Sequence, residues 1–230
     1  MLDDLSEDQP APKDGPDVNP WTQRFYERGT QGFERVIFFS DAVYAISLTL
    51  IAVQLVLPAL TDVNSSDVGQ VIAESFGNIW AYAFTFIWVA VYWKANHRFT
   101  LTLRRMDGRY IWAVLIYLAF IALLPLPAAL LGEEWDPRAL AFFFLYMACV
   151  SLVEVVLILV AIRDDLFVRT LTKEEGRGWV LSSAIPVAAA LVAAPMAFVT
   201  AYGNYIAIAT MLVVVYGLRA LVRRHYRALW

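Results

Sequence analysis

Arg35, Ser40, Asp41, His97 and Glu154 are the residues of this 230-residue chain whose types can do chemistry inside stretches otherwise made of hydrocarbon. A carboxylate near an arginine or an imidazole suggests ion pairing or proton relay, and Ser, His and Asp together suggest nucleophilic catalysis. The catalytic reading fails on geometry. Ser40 and Asp41 are adjacent, so on one helix they point about 100° apart and cannot both flank the His97 imidazole. No enzyme is expected. Two histidines, His97 and His225, stand far apart and Cys149 is the single cysteine, which excludes a disulfide framework and a local metal site. No cofactor is expected, and a net charge of -3 gives no reason to expect nucleic acid.

The elements that must position these groups are set by composition. Apolar residues make up 60% of the chain and charged residues 17%, against about 45–50% and 25% in soluble domains. The expected fold is all-α, a polytopic membrane protein with six transmembrane helices. The spans read as Val36–Leu57, Phe76–Trp93, Tyr110–Leu131, Ala139–Ile162, Trp179–Thr200 and Tyr202–Val222, each near the ~20 residues a bilayer requires. Between these spans, 17 of the 18 Lys and Arg fall on one side and Arg138 alone on the other. Cationic loops stay inside, so both termini are expected in the cytoplasm. Residues 1–22 form an acidic, proline-rich arm with little to bury, expected to be disordered and lacking the features of a signal peptide. Residues 23–230 form the membrane domain, with Thr22–Glu34 expected as a short interfacial helix. Tryptophans near the span ends read as anchors at the lipid interface.

The first span differs from the rest. An Arg, a Ser and an Asp at its start are expensive unless paired or wetted. Asp41 lies six residues beyond Arg35, about 9 Å deeper, and Arg35, His97 and Arg98 are on the side needed to supply it. Ser40 and Asp41 either bind helices together across an interface or hold the first helix in one orientation at a pore mouth. Further along, Ile46, Thr49, Leu50 and Val53 share one stripe at i, i+3, i+4 and i+7. Such a stripe by itself means ordinary lipid or core packing. Glu154, within the fourth span, is protonated or paired with a cation such as Arg163, in a structural role or on a proton or ion pathway.

These residues resemble the bacterial members of the transmembrane protein 175 potassium channel family. Arg35, Phe39-Ser40-Asp41 and Tyr44-Ala45-Ile46 match its first-helix signature, with Tyr44 in place of a phenylalanine. The likeness continues in Tyr92-Trp93, Asn96-His97-Arg98-Phe99, Met106-Asp107 and Leu123-Leu124-Pro125-Leu126-Pro127. Asn96 stands where many relatives have a histidine. The resemblance implies a potassium-selective cation channel in a bacterial cell membrane, assembled as a homotetramer with the first helices around the pore. It implies that Ile46, Leu50 and Val53 form apolar rings, with Thr49 between them. It also implies that Arg35, Ser40, Asp41 and His97 form a polar network bracing the pore helix on the cytoplasmic side. It implies further that the permeant ion is K+ and that the partners are further copies of the chain and membrane lipid. A secondary transporter or a proton-permeable cation pathway is the alternative, although polar residues near the midplane are scattered.

Overall fold

A computed structural model describes residues 25–61, 76–133 and 136–226. The expected arm over 1–22, and the acids Asp62, Asp67, Glu74 and Glu134 between spans, lie outside the described residues. The order is β1 (Phe25–Glu27), α1 (Gln31–Thr61), α2 (Phe76–Thr100), β2 (Arg105–Asp107), α3 (Gly108–Ala122), α4 (Pro125–Glu133), α5 (Pro137–Arg163), α6 (Lys173–Met196) and α7 (Gly203–His225).

Five segments are long and apolar enough to cross a membrane: 31–53, 108–132, 137–163, 173–196 and 203–225. The expected six is therefore met in length by α2 but not in apolarity. This helix of 25 residues carries Trp80, Tyr82, Trp88, Tyr92 and Trp93, amphipathic rings that lower its mean hydropathy. Two further expectations need correcting. Tyr110–Leu131 is not one helix, because Pro125 has no N–H to donate and the backbone turns at Leu123-Leu124 before α4 begins. Thr22–Glu34 is not a separate interfacial helix over its described part, because only Gln31–Glu34 is helical and it belongs to α1. Phe25–Glu27 is instead a strand, antiparallel to β2 in the register Phe25 with Asp107 and Glu27 with Arg105. Gly29, at φ 82°, turns the chain from β1 into α1 in a conformation costly for any other residue.

Helix ends explain the other boundaries. Asp107 caps α3 by accepting the Tyr110 N–H at 2.8 Å. Asp136 caps α5 and is gripped by Arg138, whose hydrogen bonds hold the Asp136 carboxyl below its usual range. Thr172 and Glu175 close a capping box at the start of α6, with Arg169 at 2.6 Å from Glu175.

The helices pack around one apolar core. Phe84 of α2 meets Phe143 and Phe144 of α5, and Tyr117, Leu118 and Ile121 of α3 are fully enclosed. The α6–α7 hairpin closes over small residues: Ala189, Ala190, Ala193, Ala194 and Ala207 are buried where the two backbones run close. Trp112, Leu191, Val213, Tyr216 and Leu221 point outward, as a lipid-facing surface requires. β1 joins the α2–α3 connection at one end of the bundle, and Leu103 bridges Phe167 of the α5–α6 connection at that same end. The cationic ends of α2 and α7 also meet there, lining one cavity.

Candidate functional site

α1 has two contrasting faces, and its sequence explains both. Phe33, Ser40, Tyr44, Ser47 and Ile51 recur at helical spacing and are buried against α2, α3 and α4. Along this face the hydroxyls find partners. The Tyr44 and Tyr117 hydroxyls are 2.7 Å apart, and Ser47 donates to the Ile121 carbonyl at 2.9 Å. That carbonyl is exposed to Ser47 because Pro125, four residues on, cannot donate to it in the helical manner. The break in the third span is thus a docking point for the first helix. These bonds fix the rotation of α1 about its own axis.

The opposite face carries Phe38, Phe39, Ile46, Leu50 and Val53, which are between 46 and 66% exposed, with Ala42, Ala45 and Thr49 exposed between them. All four stripe residues read from the sequence therefore lie together on the face that the protomer leaves uncovered. Thr49 donates its hydroxyl hydrogen to the Ile46 carbonyl at 2.8 Å, which ties the donor to the helix and leaves the oxygen lone pairs to the outside.

At the cationic end, Arg35, Ser40, Asp41 and His97 do not form one directly bonded network. Ser40 is buried and donates to Val36 of its own helix at 2.9 Å. Arg35 is exposed and makes no hydrogen bond or ion pair among the described residues. Asp41 accepts from the Trp93 indole N–H at 2.9 Å. His97 stacks on that same ring with centroids 5.3 Å apart and planes 20° from parallel. Trp93 joins α1 to the imidazole, a role beyond that of the interfacial anchor expected from its place near a span end. The available signal was its spacing: Trp93 and His97 stand at i and i+4, hence on one face of α2. Replacing Trp93 by Phe keeps the stacking and removes the donor. A hydrogen bond to a carboxylate is worth about 1.5–3 kcal/mol, discounted to about 1 kcal/mol for this partly exposed pair. A double-mutant cycle with Asp41→Ala, read by thermal unfolding in micelles, should show that coupling; zero coupling would mean the bond contributes nothing.

Glu154 is buried in α5 and lines a cavity with Arg219 of α7, not with Arg163, which stands at the far end of its own helix. Residues of α2, α5, α6 and α7 form this cavity and α1 contributes none. Among the described residues no group of His, Cys, Asp and Glu can hold a metal ion.

With this geometry in hand, known proteins supply a comparison. Residues 35–125 match the family described as endosomal/lysosomal potassium channel TMEM175. A potassium channel of Chryseobacterium sp. (strain P1-3) is 33% identical over 100 residues, 44% of this chain and 49% of that protein. One from Streptomyces collinus is 26% identical over 99 residues, 43% of this chain and 47% of that one. The chain spans about half the length of the relatives it matches. Among solved structures, a lysosomal potassium-selective channel TMEM175 homologue from Chamaesiphon minutus superposes with a TM-score of 0.63 at 18% identity, covering 84% of this chain and 99% of that one. A variant of the potassium channel MtTMEM175, in complex with a nanobody–MBP fusion, gives 0.58 at 16% identity, covering 91% and 99%. At those identities the structures speak to the fold.

Proposed function

We propose that the chain, whose residues 35–125 match the TMEM175 family, is a member of it and a potassium-selective cation channel whose throat is built by α1. Four copies stand around an axis, with the uncovered face of each α1 turned inward. Ile46 then forms one apolar ring, and Leu50 and Val53 form others about 6 and 10 Å further along. The observation that carries this reading is the division of α1 itself. Its hydroxyl-bearing side is bonded into the protomer, while its branched apolar side has no protein to cover it.

Rings of branched carbons offer no oxygen to replace hydration water, and no Thr-Val-Gly-Tyr-Gly run is present to do so. Such a constriction acts by excluding water. An ion passes only by deforming its hydration shell, which favours potassium over the smaller, more tightly hydrated sodium by a modest ratio. The outward lone pairs of Thr49 add one ring of acceptors between the apolar layers. Asp41, held by Trp93, sits near the inner mouth, where its negative charge raises the local concentration of cations. In this reading α2 is the remaining span of six, and both termini lie in the cytoplasm of a bacterial cell.

Recording purified protein in planar bilayers under opposed K+ and Na+ gradients tests the proposal. The expected result is discrete current steps with a reversal potential on the K+ side of zero. Flux that saturates at slow turnover without steps would favour a transporter instead.

A further inference from the structure

The cavity that contains Glu154 is a feature of the molecule that permeation through α1 does not use. Its volume is about 270 Å³, near the lower end of the range of small-ligand sites. Two pairs of cations face it. Lys94 and Arg98 stand one turn apart on α2, and Arg219 and Arg223 stand one turn apart on α7. One carboxylate, Glu154, opposes these four positive charges, so the site as a whole is electropositive. Arg219 Nε is buried and makes no hydrogen bond among the described residues, which leaves an unsatisfied guanidinium donor on a residue that lines the cavity. Ser182 and Ser183 add hydroxyls to the lining.

We propose that this cavity between α2, α5, α6 and α7 binds a phosphate group, borne by an anionic membrane lipid or present as free phosphate. The chemistry is specific on three counts. Guanidinium forks match the oxygens of a phosphate in pairs, which a single carboxylate such as Glu154 cannot exhaust. Glu154 lies nine residues before the end of α5, about 13 Å deep, so a lone acid at the base offsets only part of the charge. The cations stand at the bundle end that carries nearly all the positive charge. There, basic pockets between membrane helices receive lipid headgroups of the inner leaflet. The site lies apart from the α1 face, so it stands whether or not the throat is built as proposed above.

The experiment uses the full chain in mild detergent, with the exposed cations Lys94→Gln and Arg223→Gln changed together so that Arg219 and the buried Glu154 stay matched. Native mass spectrometry is carried out after adding phosphatidylglycerol or phosphatidylcholine, and thermal unfolding is followed in inorganic phosphate against chloride of equal ionic strength. Retention of phosphatidylglycerol over phosphatidylcholine, weakened roughly tenfold or more in the double variant, assigns the site to lipid. A phosphate-specific rise in melting temperature without lipid preference, lost in the same variant, assigns it to the free anion. Equal retention of both lipids together with no phosphate effect overturns the proposal, as does any preference that survives in a double variant melting like the parent.

Discussion

Changing Ile46 to Asn should raise the single-channel current several-fold and move the K+/Na+ reversal potential toward zero. The physical reason lies in what the proposed ring of four Ile46 side chains withholds. Water within an apolar constriction lacks partners, so an ion there sheds or distorts its shell against a barrier set by the hydrocarbon around it. An amide on each of four side chains provides both acceptors and donors, keeps the throat wet and lowers that barrier. Every ~1.4 kcal/mol removed is a tenfold gain in rate, and the gain is larger for the ion that had more hydration to lose. Sodium therefore benefits more than potassium, and discrimination falls as conductance rises. The substitution is well placed for a clean result. Ile46 is 57% exposed in the protomer, and the bond that Thr49 makes at this position is to its backbone carbonyl. The anchors that set the rotation of α1, Tyr44 and Ser47, are on the other face. Currents and reversal potentials identical to those of the parent protein would remove Ile46 from the throat.

The largest effect on folding should come from Gly203→Ala. Gly203 opens α7 and donates to the Thr200 carbonyl at 2.9 Å, within the tight turn that follows α6. A methyl group added there overlaps the carbonyl of Ala197 and crowds that of Met196 at 3.0 Å. Those atoms are backbone at the end of α6 and cannot swing aside as a long side chain does. Relief requires moving one helix against the other, across an interface of small residues that works only at close approach. Overpacking of this kind costs about 1–3 kcal/mol, occasionally more. Gly217→Ala is the internal comparison, because it lies in the same helix with nothing within 4 Å of the added carbon. There alanine should be neutral or stabilise by up to about 1 kcal/mol through helix propensity. Thermal unfolding of the two variants in the same micelles checks both values. Equal melting temperatures would show that the hairpin has slack at Gly203.

Much of the framework was legible in the residues because it depends on local or one-dimensional quantities. Hydrocarbon content and the placement of Lys and Arg depend on counting along the chain. So do some helix starts, such as Phe76 and that of α5 at Pro137 against the expected Ala139, whereas α6 runs over Lys173–Met196 and not the expected Trp179–Thr200. The stripe of Ile46, Thr49, Leu50 and Val53 follows from helical period alone. Sequence left open which way that stripe faces, since any membrane helix yields one.

Tertiary structure decided what spacing cannot carry. The strand at Phe25–Glu27 forms only because Arg105–Asp107, about eighty residues away, offers an edge, so a local reading took it for helix. The break at Leu123-Leu124 is written in Pro125, but its consequence, a carbonyl that receives Ser47, needs two helices in place. Trp93 could be ranked as an anchor until Asp41, 52 positions earlier, was seen to accept its indole proton. Glu154 likewise faces Arg219 across a cavity, not the nearer Arg163. Period and polarity are properties of a segment and survive in the bare sequence. A buried polar group, by contrast, takes whichever partner the packing brings within about 3 Å, and that choice exists only once the helices have met.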